Sequence, residues 1–552
     1  MVNQKKETRL LGIAMFMLFS FSIIPGLFFR EPWLWMDEVL SCVLISDPSL
    51  AHLNDAVVSN MDANPPLFPN LYWLVGHMIS LEPLFFRAFS VILFISTITL
   101  FSWYTTRLIG NPVTNFVLIS AMVYLTYQNF QHSTEIRSYA VLLPISCVYF
   151  ILMQRLIDNP ASCQLLAWHT LVGMLMAFCH NYGLFYLAAA GAFFLSLLLW
   201  SRQRSYAFVL ATFGLIGAVW LIVWYPSFTI QSDAGKPHSW IPLPTLTSFF
   251  SAVGDLIPSL SDRLEWKPSF WWLPILRVSL VVGLYLYLVV PRLKAGFAAM
   301  RQDKAFQFLL LSGFVYLTTI IISLTVSLTY TSVFLSRYMW PSQLLIMFQL
   351  MYAYYHFMGT ERFTPQLARL LPVYALLLGG VIFYKVWKMQ TSFPSRILTY
   401  LPQLNTRYPV IVERADYFLP IWFHKQRSNI TFLLDWQTAD RPDNIKSATV
   451  DYKILKSLKE KYNVAGIVPI KSFTAASFPH FYVIDEQAVY QVEDYIKRGR
   501  IKVVNELPMA MPGHRLLECA FQPTFASNGQ PNVRQGRIRR KAELTDLSVV
   551  DR

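Results

Sequence analysis

Charged residues are scarce in this chain. Asp, Glu, Lys and Arg together make up 14% of its 552 residues, whereas hydrophobic residues make up 55% and the mean hydropathy is +0.41. Soluble globular proteins carry about 25% charged residues. The shortage of charge therefore excludes a string of soluble domains and predicts a polytopic membrane protein.

Three further features are missing. The five cysteines form no Cys-x-x-Cys pair and no zinc-type spacing with histidine, which excludes a disulfide scaffold and gives no zinc signature. No glycine-rich loop of the phosphate-cradling kind is present, so no nucleotide site is indicated. Basic residues outnumber acidic ones and give a net charge of +14. Most of these basic residues lie between apolar runs, where membrane topology explains them. Nucleic acid is therefore excluded as a partner.

Long apolar runs are abundant instead. Leu10 to Phe29 is uncharged and has the length of about 20 residues that a helix needs to cross ~30 Å of hydrocarbon. No small-x-small cleavage site follows it, so we interpret it as a retained span rather than a signal peptide. Further runs lie near residues 84 to 105, 112 to 130, 138 to 154, 163 to 180, 183 to 200, 206 to 225, 271 to 290, 305 to 330, 338 to 357 and 370 to 387. The sequence predicts a polytopic α-helical membrane protein with about eleven transmembrane helices.

Basic residues predict the orientation of these spans. With a cytoplasmic N-terminus, the short cytoplasmic connections contain Arg107, Arg155, Arg202, Arg204, Arg292, Lys294, Arg301, Lys304, Arg362 and Arg369. The opposite orientation would export all of them, against the positive-inside bias. We therefore expect a multi-pass protein of the cytoplasmic (inner) membrane. Residues 30 to 83, 131 to 137, 226 to 270 and 331 to 337, and everything after about 390, would be extracytoplasmic, in the periplasm.

Three regions are predicted along the chain. Residues 1–390 form the transmembrane domain, in whose outer loop (30–83) the proline-rich segment 64–81 is expected to form an amphipathic helix at the membrane surface rather than a span. Residues 391–530 form an extracytoplasmic α/β domain, because β-rich stretches alternate there with a charged helical stretch from Asp451 to Tyr462. Residues 531–552 are expected to be a disordered basic tail that is able to contact phospholipid headgroups.

The outer loop carries the candidate catalytic acids. Asp37 and Glu38 stand in an apolar setting that contains Trp33 and Trp35. Apolar surroundings favour the protonated form of a carboxylate, which suits a general base. Alternatively, the two acids are a charge pair that stabilises the start of a helix.

Further polar residues stand where predicted spans meet the outer side. Glu135 and Arg137 lie in one short connection, Arg87 opens the second span, and Arg337 precedes Tyr338 where two later spans meet. Guanidinium groups bind phosphate in bidentate geometry, so these arginines beside an acidic loop indicate an anion site next to a base. Interfacial salt bridges or snorkelling side chains explain each residue singly just as well.

Taken together, these residues resemble the GT-C glycosyltransferases that use polyprenyl-phosphate sugars, a group that includes protein O-mannosyltransferases and aminoarabinose transferases. The matching pieces, in chain order, are Asp37-Glu38, Asn64-Pro65-Pro66-Leu67, Arg87, Glu135-Ile136-Arg137-Ser138-Tyr139, His180-Asn181-Tyr182 and Arg337-Tyr338. The resemblance covers roughly residues 10 to 390. One departure is Asn64, since relatives often have His or Lys before the two prolines, which weakens or reassigns a contact expected there.

The resemblance implies a GT-C fold and an inverting glycosyl transfer from a polyprenyl-phosphate donor such as undecaprenyl phosphate. It implies Asp37 as the base, supported by Glu38. The residues expected to bind donor phosphate or substrate are Arg87, Glu135, Arg137, Tyr139, His180, Arg337 and Tyr338. The acceptor would be a hydroxyl of lipid A or another envelope glycolipid, of a glycan, or of a protein.

Two other functions and one cofactor stay open at this point. An oligosaccharide ligase would use a polyprenyl-diphosphate donor, and a lipid or solute transporter would place its ionisable residues at mid-membrane in paired repeats. No cofactor is required by the proposed chemistry. A divalent cation, Mg²⁺ or Mn²⁺, held by Asp37, Glu38 or Glu135 is nevertheless left open, because both ions prefer carboxylate oxygens.

Overall fold

The computed structural model describes residues 2–28, 33–126, 129, 132–259, 271–359, 368–389, 400–425, 428–444, 447–486, 491–509 and 513–522. The tail predicted over residues 531–552 and Arg362, predicted to lie in a cytoplasmic connection, are outside the described residues. The α-helices up to residue 389 are α1 (Val2–Phe28), α2 (Met36–Ile45), α3 (Leu50–Ala56), α4 (Leu67–Met78), α5 (Pro83–Leu108), α6 (Pro112–Leu125), α7 (Tyr139–Asp158), α8 (Cys163–Cys179), α9 (Tyr182–Ser201), α10 (Tyr206–Val223), α11 (Tyr225–Ser232), α12 (Leu246–Gly254), α13 (Trp272–Leu293), α14 (Gly296–Gln302), α15 (Lys304–Thr329), α16 (Ser342–Met358) and α17 (Leu371–Met389).

Eleven of these helices occupy the eleven predicted apolar runs: α1, α5 to α10, α13 and α15 to α17. Within the described residues, α5, α7, α9, α10, α13 and α15 are long and apolar enough to cross a membrane, and α1, α6, α8 and α17 contain shorter apolar stretches. Large apolar side chains such as Phe208, Ile222 and Leu377 are exposed on the outside of the bundle, as lipid permits and water does not. The predicted multi-pass membrane architecture is confirmed.

Local sequence signals explain where several spans begin. Pro83 and Pro112 stand in the first turns of α5 and α6, where the missing proline N–H costs no hydrogen bond. Asn111 Oδ1 caps α6 by accepting from the backbone N–H of Thr114 at 2.9 Å, and Asp303 caps α15 in the same way. Short capped connections therefore turn the chain back into the bundle.

The segment predicted as a surface helix forms α4. Its twelve residues extend about 18 Å, much less than the ~30 Å hydrocarbon core. Phe68 and Tyr72 are buried, whereas Leu74 and Met78 are exposed on the opposite side. Gly76 lies against α5 so closely that a Cβ there would come within 2.6 Å of Phe86. The helix is thus amphipathic and packed onto the start of a span.

A six-stranded sheet forms the core of the C-terminal region. Its strands are β1 (Val410–Val412), β2 (Ile430–Leu434), β3 (Ile467–Pro469), β4 (His480–Glu486), β5 (Ile501–Leu507) and β6 (His514–Phe521), in the order β3-β2-β1-β4-β6-β5. The first four are parallel to one another, with Val410 beside both Ile430 and Tyr482, and β6 is antiparallel to β4 and β5. The helices are α18 (Ala415–Phe423), α19 (Trp436–Ala439), α20 (Ala448–Tyr462) and α21 (Gln491–Lys497). The predicted C-terminal α/β region is confirmed.

This sheet packs onto the helices through alternate residues of its strands. Val410 and Val412 belong to the same apolar core as the helical bundle, whereas Ile411 between them belongs to a separate core on the other face. Polar contacts reinforce the packing. Tyr462 OH of α20 donates to Asp47 at 2.8 Å, and Lys461 forms an ion pair with Asp55. The C-terminal domain therefore packs directly on the outer loop between α1 and α5, which is the first loop of the chain.

Candidate active site

A cavity of about 270 Å³ lies between the bundle, the first loop and the C-terminal domain. Of the residues predicted from the sequence, Asp37, Arg137, Arg337 and Tyr338 line it. Three segments far apart in the chain thus contribute to one cavity. Asn64, the residue that departs from the family pattern, also lines this cavity.

Asp37 and Glu38 point to different places because both lie in the first turn of α2. Successive residues of a helix are rotated by about 100° from each other. Glu38 is fully buried, whereas the Asp37 side chain retains 25% of its accessible surface. Only Asp37 lines the cavity. Adjacency in the sequence therefore does not make the two acids a functional pair.

Glu38 is engaged by Arg87 of α5 instead. Arg87 Nε donates to Glu38 Oε1 at 3.1 Å and Arg87 Nη2 donates to Oε2 at 2.7 Å, a bidentate ion pair. The backbone N–H of Ile136 also donates to Glu38 Oε1, at 3.2 Å, and Arg87 donates to the carbonyl of Trp33. Neither side chain lines the cavity. Arg87, predicted as a phosphate ligand, is thus paired with Glu38, and together the two side chains join the outer loop, α5 and the 132–138 connection.

Arg137 lies between two carboxylates at the cavity wall. Its Nη2 is 3.6 Å from Asp37 Oδ2 and its Nη1 is 3.6 Å from Asp62 Oδ2. Burial disfavours the charged guanidinium, but the two carboxylates outweigh it and raise the pKa of Arg137. Asp62, which no sequence motif marks, accepts hydrogen bonds from the backbone and side-chain N–H groups of Asn64 at 3.0 and 3.1 Å. Its proximity to Asp37 depends on a fold that no local motif encodes.

Aromatic rings surround Arg337. Its guanidinium lies 4.8 Å from the ring centre of Trp240 and 5.9 Å from those of Trp35 and Tyr338. These faces attract a cation and hold it without neutralising its full charge. Arg337 is therefore oriented while remaining able to bind an anion in the cavity.

Tyr139 and His180 stand behind this wall. The His180 ring lies 5.5 Å from that of Tyr139 and 5.3 Å from that of Tyr338. Its Nδ1 accepts from the backbone N–H of Tyr182 at 3.0 Å. Burial, together with Arg137 and Arg337, lowers the pKa of His180 to about 3. The imidazole is neutral at physiological pH and supports the aromatic wall rather than adding positive charge.

Glu135 lies apart from the cavity lining. Its Oε2 is 2.9 Å from Nδ1 of His132, and its backbone carbonyl accepts from Ser90 Oγ at 2.9 Å. The three acids predicted as ligands for a divalent cation are thus beside different partners. No group of three or more His, Cys, Asp and Glu suited to a metal occurs among the described residues. Asp37, Glu38 and Glu135 therefore do not form a common cation site.

The C-terminal domain supplies a further wall of the cavity, which no motif in the sequence predicts. Asp416 of α18, Ser447 immediately before α20, and Asp451 within α20 all line the cavity. Trp240 and Gln231, from the region between α10 and α13, line it too. These residues carry no signal in the sequence, because only the packing of the sheet onto the first loop brings them to the cavity.

Comparisons with known proteins identify the fold. No family model matches the chain, and no curated protein matches it in sequence. The chain is similar in structure to ArnT from Cupriavidus metallidurans in the apo state, with a TM-score of 0.54 and 11% identity over 94% of this chain and 98% of that one. The structure of the same enzyme bound to undecaprenyl phosphate gives a TM-score of 0.48 and 12% identity over 95% and 99%. The apo comparison confirms the predicted GT-C glycosyltransferase fold, and at this identity the likeness concerns the fold alone.

Proposed function

We propose that this protein is an inverting glycosyltransferase that moves one sugar from a polyprenyl phosphate to a hydroxyl acceptor at the outer face of the inner membrane. The observation that carries the proposal is the set of side chains that line the cavity. A partly exposed carboxylate, Asp37, and two cationic side chains, Arg137 and Arg337, face the same space of about 270 Å³. A base and an anion site beside each other are what such a transfer needs.

In this reaction, Asp37 takes the proton from the acceptor hydroxyl as its oxygen attacks the anomeric carbon. The bond between that carbon and the phosphate oxygen breaks, and polyprenyl phosphate leaves with the electron pair. Arg137 and Arg337 stabilise the charge on the departing phosphate. Attack from the side opposite the leaving group inverts the anomeric configuration. Glu38 and Arg87 contribute by fixing the start of α2, and hence the position of Asp37.

The size of the cavity favours one sugar over an oligosaccharide. Pockets for drug-sized ligands typically measure ~300 to 1,000 Å³, and this cavity measures about 270 Å³. A sugar with its phosphate occupies such a space, while the prenyl chain remains in the lipid. The rival function, ligation of an oligosaccharide from a polyprenyl diphosphate, would need a larger or more open site.

The test is the product released by the purified protein. Labelled polyprenyl-phosphate sugars are supplied with envelope glycolipid, glycan and protein acceptors, and we expect release of polyprenyl monophosphate. Asp37→Asn should reduce turnover by ~10² to 10⁴, as expected for loss of a general base. Asp55→Asn is the matched control, because this first-loop acid pairs with Lys461 and does not line the cavity.

Other outcomes would contradict the proposal. Turnover of Asp37→Asn within threefold of the parent would remove Asp37 from the role of base. Activity only with a polyprenyl-diphosphate donor would identify the ligase. Movement of the intact lipid or solute across the membrane, without cleavage, would identify a transporter.

A further inference from the structure

Several buried polar atoms around the cavity have no hydrogen-bond partner in the described part of the chain. Gln231 shows the point most clearly, since only 5% of its surface is exposed. Its Nε2 donates to the carbonyl oxygens of Val57 and Asp62 at 3.1 and 2.9 Å. Carbonyl oxygens only accept, so the amide nitrogen must face them, and Oε1 is left as an acceptor without a donor among the described residues.

Asn60 presents a second acceptor of the same kind. It lies at a kink within Val57–Met61, where its backbone leaves the helical region with φ at 80°, a conformation that favours glycine. Such positive φ values often occur at functional sites. Its Oδ1 is buried, with no donor found for it in the described ranges, and Asn60 lines the cavity.

Ser447 supplies a hydroxyl from the C-terminal domain. Serine immediately before a helix normally caps it, yet Ser447 makes no capping hydrogen bond to α20. Its Oγ is buried at the cavity wall and has no partner among the residues described. A group that neither caps its helix nor reaches water is available to a ligand, because unmade buried hydrogen bonds are costly.

We propose that Asn60, Gln231 and Ser447 form the binding site for the hydroxyl groups of the donor sugar. This inference rests on the proposed glycosyl transfer and specifies how the sugar is recognised. Asn60 Oδ1 and Gln231 Oε1 accept hydrogen bonds from hydroxyls but repel phosphate oxygens, so these two acceptors are unsuited to the leaving group. Arg137 and Arg337 bind the phosphate. The cavity thus has an anion-binding end and a polyol-binding end.

The C-terminal domain therefore acts in sugar selection. Asn60 belongs to the first loop, Gln231 to α11, and Ser447 to the C-terminal domain. A sugar whose hydroxyls satisfy all three at once binds better than one that leaves an acceptor unpaired. Specificity follows from the assembly of three segments rather than from the bundle alone.

The test compares two ligands, bare undecaprenyl phosphate and a panel of undecaprenyl phosphates that each carry one pentose or hexose. Affinities are measured for the full-length protein in detergent. The preference is the ratio of the affinity for the best sugar-bearing lipid to the affinity for the bare lipid. Its value in the unaltered protein is the reference. Ser447→Ala removes one hydroxyl, and Asn60→Gly removes the amide while keeping a residue that adopts positive φ easily. Ser428→Ala, on an exposed serine of the same domain, is the control.

We expect each variant to reduce the preference about three- to tenfold, the effect of one lost hydrogen bond to a buried partner. Affinity for bare undecaprenyl phosphate should stay unchanged, and Ser447→Thr should restore the preference. Loss of affinity for both lipids alike, or an unaltered preference in both variants, would overturn the inference while leaving the glycosyltransferase function in place. If the parent binds neither lipid, the proposed function itself fails.

Discussion

The buried pair of Glu38 and Arg87 offers a direct test of what Arg87 does. The sequence pattern suggests that Arg87 binds the donor phosphate, whereas the structure engages it with Glu38 in two hydrogen bonds of 3.1 and 2.7 Å. Arg87→Met removes the guanidinium and keeps an apolar side chain of similar length. The Glu38 carboxylate then loses its main counter-charge in the protein interior.

The magnitude follows from burial. Only 4% of Arg87 and 0% of Glu38 is exposed, so the ~0 to 1 kcal/mol of a surface ion pair does not apply. Removing one partner of a buried pair typically costs about 3 to 5 kcal/mol of folding free energy. The double variant Arg87→Met/Glu38→Gln contains no buried charge, and glutamine retains an acceptor for the N–H of Ile136. It should therefore be at least about 1 kcal/mol more stable than Arg87→Met alone.

The assay is a denaturant titration in detergent, paired with a binding measurement on undecaprenyl phosphate. We expect the double variant to bind this lipid within about threefold of the parent, since neither residue lines the cavity. A double variant that is stable but has lost lipid binding would refute this reasoning. It would return Arg87 to the role of phosphate ligand.

Three shorter predictions concern the phosphate site, the domain contact and the topology. Arg337→Ala should weaken binding of undecaprenyl phosphate by ~1.5 to 3 kcal/mol, the loss of a charged hydrogen-bond partner; normal affinity would make Arg337 a structural residue. Burial and, to a smaller extent, the nearby Arg87 lower the pKa of His424 to about 4. The Nε2 atom of His424 accepts a hydrogen bond from the backbone N–H of Leu34 at 3.1 Å. This contact is fully present above the ordinary histidine pKa of about 6.5 and is lost as pH falls toward 4. The variant His424→Gln should therefore lose less thermal stability than the unaltered protein between these two pH values. Equal losses in the two proteins would contradict this. In a background without native cysteines, Ser428→Cys should react with an impermeant thiol reagent in intact spheroplasts and Gln302→Cys only after lysis, whereas the reverse pattern would invert the proposed orientation.

The membrane architecture was predictable because its signal is local. A span needs about 20 apolar residues wherever it occurs, and several spans begin at a proline or a capping side chain. Strand β6, from His514 to Phe521, carries a weaker local signal, because it contains no β-branched residue.

The site was predictable only in part. Asp37, predicted from its place in the acidic outer loop, and Arg137 and Arg337, predicted from their places at the edges of spans, all line the cavity. Glu38 was grouped with Asp37 by adjacency, although a helix beginning at Met36 turns the two apart. Ser447 could not be found, since its place at the cavity depends on a sheet packing onto a loop about 400 positions earlier in the chain.

That separation sets an order of events during synthesis. At ~5 to 20 residues per second, the ribosome needs roughly 20 to 80 s after Asp37 to deliver Asp451, the last of the cavity-lining residues considered above. By then every helix of the bundle has been made. A nascent chain in the membrane thus has Asp37, Arg137 and Arg337 in place while one wall of the cavity is still missing. The late arrival of the C-terminal domain therefore delays assembly of a complete cavity until synthesis is nearly finished. A chain that ended after α17 would have the helical bundle but lack the cavity wall that Asp416, Ser447 and Asp451 form.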